Sequence, residues 1–197
     1  MIIGLTGSIA SGKSTVSNML KNLGYPIIDA DVVARIVVEK GTKTLETIKE
    51  VFGEEIISED GSLNREKLGD IIFNSPHKRK QLNDIIHPAI REEMLRQKEE
   101  LLTEGHKTIV MDIPLLFESK LQSYVNKILV VTVTEETQLA RLMARNNFTL
   151  DEAKARIQSQ LPLSIKEQGA DAVIYNNGTI QSTEEQLKKI LAIWKSE

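Results

Sequence analysis

The sequence predicts an α/β fold. The expected form is a three-layer α/β/α core around a parallel five-stranded sheet, broken by two helical insertions. Short apolar, β-branched runs alternate with amphipathic helical stretches, as in a parallel sheet covered on both faces. The first run leads straight into a glycine-rich loop and then a helix. No internal repeat or low-complexity stretch points to another architecture.

Taken in order, Ile2-Ile3-Gly4-Leu5 reads as the first strand. Val16, Met19, Leu20 and Leu23 then fall at helical spacing, and Gly24 suits the stop. Pro26-Ile27-Ile28 is a second strand. Residues 31–105 read almost entirely as helix, with faces Ile48/Val51/Phe52, Leu68/Ile71/Ile72, Leu82/Ile85/Ile86 and Ile90/Met94/Leu101. Ser75-Pro76 is an N-cap followed by a first-turn proline, and His87-Pro88 is expected at a helix junction. Thr108–Met111 and Lys127–Val133 are the third and fourth strands. Between about 135 and 168 one helix carries Leu139, Leu142 and Met143. A second starts at the capping box Thr149-Leu150-Asp151-Glu152. Ala172–Tyr175 is the fifth strand, closed by Asn176-Asn177-Gly178. The last helix is expected to open at a capping box, Thr183–Gln186, with Leu187, Ile190, Leu191 and Trp194 as its apolar face.

Composition removes whole classes of function. With 197 residues, 41% hydrophobic and 27% charged, the chain suits one compact domain with small inserted lobes. A net charge of −3 argues against a dedicated duplex binder, and 4% aromatic content against a stacking platform for single strands. The absence of cysteine excludes disulfides, thiolate metal sites and a cysteine nucleophile. Without an apolar membrane span or a signal-peptide pattern, the expectation is a soluble cytoplasmic protein.

The strongest motif is Gly7-Ser8-Ile9-Ala10-Ser11-Gly12-Lys13-Ser14-Thr15, which fits G-x-x-x-x-G-K-[ST] between a strand and a helix. Glycines let successive amides turn inward around phosphate oxygens, and the following helix adds the positive end of its dipole. Lys13 can neutralise charge between the β- and γ-phosphates, and the Ser14 hydroxyl can ligate Mg²⁺. Switch GTPases need D-x-x-G and N-K-x-D. Here the third strand ends Asp112-Ile113-Pro114-Leu115, and Asn126-Lys127 continues Ile128-Leu129. Length and two helical insertions favour a small phosphotransferase, with one lobe for the acceptor and a lid over the donor.

Asp29-Ala30-Asp31 follows the second strand, where ligands of open α/β sheets bind. Asp31 is either the base that orients an acceptor hydroxyl or a helix cap or turn aspartate; one side chain cannot easily do both tasks, which leaves Asp29 as the structural partner. Arg35, four residues on, can hold an acceptor phosphate or pair with Asp31. Asp112 ends a strand, where a carboxylate can hold Mg²⁺ directly or through water; the alternative is a strand-end turn residue. Pro114-Leu115-Leu116-Phe117 is either an acceptor wall or ordinary core. Arg141 and Arg145 share a helix face and can clamp phosphates; the alternative is a solvated basic face.

Several of these segments, in this order and spacing, closely resemble the dephospho-CoA kinases. They are Gly4-Leu5-Thr6-Gly7, Ile28-Asp29-Ala30-Asp31 with Arg35, His87-Pro88, Asp112–Glu118, Gln138-Leu139-Ala140-Arg141 and Asn176-Asn177-Gly178. The resemblance implies a P-loop NTPase core like that of nucleoside monophosphate kinases. It implies transfer of the ATP γ-phosphate to the ribose 3′-hydroxyl of dephospho-CoA, giving coenzyme A and ADP in the last step of CoA biosynthesis. Residues 1–30, 106–134 and 169–197 would form the nucleotide-binding core, 31–105 the CoA-binding lobe and 135–168 the lid. Asp31 is carried over as the acceptor-orienting base and Arg141 as a phosphate-stabilising lid residue; Lys13 and Thr6 complete the catalytic set. Gly7, Ala10, Ser11, Gly12, Lys13, Ser14, Thr15, Arg141, Arg145 and Asn177 would bind the nucleotide. Asp31, Arg35, His87, Pro114 and Leu115 would bind the acceptor, and Ser14 and Asp112 the metal. The implied cofactors are ATP and Mg²⁺. The implied partner is dephospho-CoA alone, with no nucleic acid or membrane, for a monomer or weak homo-oligomer. Ser8 and Ala10 stand where glycine is common, at positions with no clear demand for it. The alternatives are a kinase of nucleosides, gluconate or shikimate, or a nucleotide-dependent switch.

Overall fold

A computed structural model describes residues 1–196. The chain divides into two compact units, Met1–Ile28 with Gly105–Glu197, and Asp29–Glu104. A five-stranded sheet contains β1 (Ile2–Gly7), β2 (Ile27–Asp29), β3 (Ile109–Asp112), β4 (Lys127–Thr132) and β5 (Ala172–Tyr175), in the order β2-β3-β1-β4-β5. β1 pairs in parallel with β3 and with β4, and β4 pairs in parallel with β5. β1 is therefore central. Its register sets Leu5 beside Asp112 and Gly7 beside Val131, so the chain leaves β1 flanked by the ends of two other strands.

Alternation along the strands builds the core of the first unit. Ile3, Leu5, Val110, Leu129, Val131 and Ile174 point to one face. There they bury against Val16 and Leu20 of α1 (Lys13–Asn22) and Leu187, Leu191 and Trp194 of α9 (Ile180–Ser196). Each such side chain, fully buried, contributes about 1.5–3 kcal/mol relative to exposure. The opposite face carries Gly4, closely covered by Leu116 and Val125. Three helices follow β4 and belong to this unit: α6 (Glu135–Asn146), α7 (Leu150–Gln158) and α8 (Leu163–Gln168). The box predicted at Thr149 is present; its amide and hydroxyl hold the Glu152 carboxyl below its ordinary pKa.

The box predicted at Thr183 is absent. α9 begins three residues earlier, and the Thr179 hydroxyl accepts from the Ser182 amide at 3.1 Å. Thr183 is fully buried inside the helix, with its hydroxyl donating to Asn176 Oδ1 at 2.8 Å. A Thr-x-x-Gln pattern marks a helix start only where the preceding residues cannot continue the turn.

The second unit is built from α2 (Ala30–Ile36), α3 (Lys43–Phe52), α4 (Arg65–Phe73) and α5 (Pro76–Thr103). Its core includes Val33, Leu45, Ile48, Phe52, Ile56, Leu68, Leu82 and Met94; Val51, expected on the buried face of α3, is exposed. Asp29, Thr42, Asn64 and Ser75 cap the four helices, each through its side chain. Pro88 corrects the sequence reading: it lies inside the continuous α5, not at a junction. An interior proline costs about 3 kcal/mol in isolation. Packing of α5 against α2, α3 and α4 outweighs that cost. On its outer side Arg96 bridges Glu93 and Glu100 and holds the Glu93 carboxyl below its ordinary value. No helix among the described residues is long and apolar enough to cross a membrane.

Candidate active site

The loop from Gly7 to Gly12 joins β1 to α1. Most helices here begin with a side-chain cap, but α1 begins at Gly12 (φ +89°), which supplies none. Accounting for the loop's backbone groups shows what it is built to bind. The carbonyl of Gly7 accepts from Lys166 Nζ (3.3 Å), and that of Ser8 from the Ser11 amide (3.1 Å). The carbonyl of Ile9 accepts from Gln138 Nε2 (2.8 Å), that of Ser11 from Asn176 Nδ2 (2.9 Å), and that of Gly12 from the Thr15 amide (3.0 Å). By contrast, the amides of Ala10, Gly12, Lys13 and Ser14 have no protein acceptor among the described residues. Carbonyls tied to protein and donors left open make a cradle for an anion, reinforced by the dipole of α1.

Two backbone positions in the loop are strained or crowded. Gly12 needs its positive φ, and a Cβ there would lie 2.0 Å from Asn176 Nδ2. Ala10 also adopts a left-handed conformation, φ +61°. The expectation that position 10 makes no demand for glycine is therefore overturned: a non-glycine residue in that region costs about 1–2 kcal/mol.

Charge gathers around the cradle. The Lys13 ammonium, at the first position of α1, forms an ion pair with Asp112, which is buried at the end of β3. Arg141 projects from α6. One guanidinium nitrogen donates to the Asn176 carbonyl at 2.9 Å, and the other stands 3.7 Å from where a Gly12 Cβ would be. Ser14 is exposed on the first turn of α1. Among the described residues there is no group of three or more histidine, cysteine or carboxylate residues that could hold a metal ion.

Other predicted residues lie elsewhere. Arg145 is exposed and donates to its neighbour Asn146 (2.8 Å), so it does not share the position of Arg141. Asn177 uses its side-chain oxygen on the Thr134 amide (2.8 Å), at the start of α6. The asparagine that grips the loop is Asn176. Thr6 is fully buried and donates to the Pro114 carbonyl at 3.0 Å, tying β1 to the segment after β3. Leu115 is exposed and Pro114 half-buried, whereas Leu116 is core. In the second unit, Asp29 is the cap: its carboxylate accepts from the Asp31 amide (2.8 Å) and the Val32 amide (3.2 Å). Asp31 is thereby spared that task. Its carboxylate is exposed and makes no ion pair with Arg35 among the described residues. His87 is exposed on α5.

Sequence reasoning assigned no site role to Gln138, Gln160, Lys166 or Asn176, although Gln138 and Asn176 stand in two of the segments that carry the family resemblance. Gln160 Oε1 accepts both the Ser8 hydroxyl and the Ile9 amide, each at 2.9 Å. Gln138 Nε2 donates back to the Ser8 hydroxyl at 2.9 Å. No spacing ties these residues to the loop; burial marks three of them, since Gln138, Lys166 and Asn176 are among the few buried polar side chains.

The chain is similar to known proteins over nearly its whole length. The family profile described as dephospho-CoA kinase matches residues 1–182. A dephospho-CoA kinase of Bacillus anthracis is 59% identical over 194 residues, covering 98% of this chain and 97% of the relative. One from Geobacillus kaustophilus is 55% identical over 194 residues, covering 98% and 96%. Among solved structures, dephospho-CoA kinase from Campylobacter jejuni superposes with a TM-score of 0.76 at 32% identity, over 97% of this chain and 95% of that one.

Proposed function

The chain belongs to the dephospho-CoA kinase family, and from that premise we propose which of its residues carry the reaction. The reaction is ATP-dependent phosphorylation of dephospho-CoA in coenzyme A biosynthesis. The acceptor atom in this reading is the ribose 3′-hydroxyl, and the products are coenzyme A and ADP. The observation that carries the nucleotide half is the open row of amides at Ala10, Gly12, Lys13 and Ser14, in a loop whose carbonyls at Gly7, Ser8, Ile9, Ser11 and Gly12 face protein donors. These amides take the β-phosphate. Lys13 exchanges its pairing with Asp112 for the phosphate oxygens. Arg141, poised beside Gly12, neutralises charge on the transferring group.

Asp31 serves as the acceptor-orienting base. Support comes from Asp29, which takes the capping role and leaves the Asp31 carboxylate exposed. Residues 31–105 form the acceptor lobe in this reading, with Arg35, His87, Pro114 and Leu115 as acceptor contacts. Residues 135–168 are the lid. The donor set fits Mg²⁺, a hard cation that prefers oxygen: the Ser14 hydroxyl and the Asp112 carboxylate would hold it. Bound with ATP, it would screen the phosphate charge. The reading places the enzyme in the cytoplasm, acting on its two substrates.

The test is a coupled ATP-consumption assay with dephospho-CoA beside nucleosides, gluconate and shikimate. Dephospho-CoA alone should accelerate consumption; no acceleration overturns the acceptor. Asp31→Asn should lower kcat about 100-fold or more while ATP affinity, measured by direct titration, stays unchanged. Near-normal turnover removes Asp31 from the chemistry.

A further inference from the structure

Lys166 is the largest fully buried side chain among the described residues, and the mechanism above does not use it. It stands on α8, with its ammonium 2.8 Å from Glu118 Oε1 and 3.3 Å from the Gly7 carbonyl. Glu118 follows β3 in the chain. Its Oε1 also accepts the Leu161 amide at 3.1 Å, whereas its buried Oε2 has no partner among the described residues. The next residue on α8, Glu167, accepts from the Thr132 hydroxyl at the end of β4 (2.6 Å). Phe117 lies so close over Gly169 that a Cβ there would stand 2.5 Å from its ring. α8 is thus fastened against the ends of two strands, and Lys166 reaches from it under the phosphate-binding loop.

Stability alone accounts poorly for this arrangement. A buried ion pair draws little net stability from its own attraction, since both charges lose their hydration, and an incompletely satisfied one draws less. What the ammonium does that an apolar side chain cannot is hold the Gly7 carbonyl. Gly7 is the last residue of β1, where the ladder ends and the chain turns into the loop. The orientation of the Gly7–Ser8 peptide sets the direction in which the chain enters the loop, whose successive amides form the anion-binding concavity. The carbonyls of Ile9 and Ser11 are fixed in the same way by Gln138 and Asn176. Lys166 is the charged member of that set and sits at its origin.

We propose that Lys166 is a positioning residue for ATP: by fixing the Gly7 carbonyl it aims the loop amides at the nucleotide phosphates. Glu118 serves to make the buried ammonium tolerable and does not itself orient the loop. The proposal rests on the kinase reading for its turnover readout only; nucleotide affinity is measured directly and stands apart from the acceptor's identity.

The experiment compares Lys166→Met/Glu118→Gln, Glu118→Gln and Lys166→Arg with the parent chain. ATP affinity is read by calorimetric titration, KM for each substrate in the coupled assay, and folding by circular dichroism. The double variant leaves no uncompensated charge, so its fold is spared, but it removes the donor to Gly7. It should bind ATP about tenfold or more weakly, the scale of one lost charge-assisted hydrogen bond, with KM for dephospho-CoA unchanged. Glu118→Gln keeps the donor and should bind ATP within about threefold of the parent, and Lys166→Arg should recover most of the affinity. Parental ATP affinity in the double variant overturns the proposal. So does an equal loss in Glu118→Gln, which would assign the effect to the ion pair. If the double variant does not fold, the Glu118→Gln and Lys166→Arg results decide, each titrated well below its own melting temperature: weak ATP binding in both, with native circular dichroism, refutes it. Failure of dephospho-CoA to accelerate the parent enzyme would instead sink the kinase reading and leave the titration result standing.

Discussion

Asn176→Ala is the sharpest single probe of how the loop is held. The side chain makes two contacts: Nδ2 to the Ser11 carbonyl at 2.9 Å and Oδ1 from the Thr183 hydroxyl at 2.8 Å. Ser11 is fully buried, so its carbonyl finds no easy replacement. Leaving it unpaired costs about 1–3 kcal/mol, and losing the Thr183 contact about 1 kcal/mol more. Thr183 keeps its second acceptor, the Thr179 carbonyl, at 3.2 Å. Arg141 bonds the main chain of residue 176 and so is spared. The sum, about 3 kcal/mol, lowers the melting temperature by about 6–12 °C for a chain of this length. Part of that loss falls on the loop. If about 1.4 kcal/mol goes to misaligned loop conformers, the competent fraction drops tenfold, and apparent ATP affinity with it. The assay pairs a circular-dichroism melt without nucleotide and a titration with ATP. A variant that melts like the parent and binds ATP equally well would refute the hydrogen-bond accounting on which the site rests.

Three further outcomes follow from the same geometry. Ala10→Gly should raise stability by about 0.5 kcal/mol, since relief of the left-handed alanine exceeds the extra freedom glycine gives the unfolded chain; a lowered melting temperature contradicts the assigned strain. Arg141→Ala should cut kcat/KM for ATP about 100-fold, whereas Arg145→Ala, exposed and bonded to Asn146, should change it less than about threefold. The Thr149–Glu152 box should make α7 acid-sensitive. The Glu152 carboxyl is depressed in the folded state, so its contribution is present above the unfolded value of about 4.3 and is lost as pH falls through the lower folded value. Amide exchange in α7 should accelerate over that range, and Glu152→Gln should flatten the dependence.

Much of the fold was legible because its signals are local. The phosphate-binding motif, the apolar runs of β1, β3 and β4, and the caps at Ser75 and Thr149 each depend on residues a few positions apart. The failures have a common cause as well. Pro88 and Thr183 carry strong local signals for a helix end and a helix start, and tertiary packing overrides both. Asp31 shows the middle case. Sequence narrowed cap and base to two aspartates, and only the hydrogen bonds from the Asp31 and Val32 amides assign the cap to Asp29.

By itself, then, the sequence determined that a glycine-rich loop followed by Lys13 and Ser14 would meet phosphate, because that loop's backbone demands are written in contiguous residues. The tertiary structure alone decided what holds the loop open. Asn176 lies 165 residues from Ser11, Lys166 lies 159 from Gly7, and Gln138 lies 129 from Ile9. Such ties exist only once β4 pairs beside β1 and the chain that follows it returns over the loop. Hydrogen bonds are short-ranged and directional, so their partners are chosen by the fold and leave no periodicity in the chain to read.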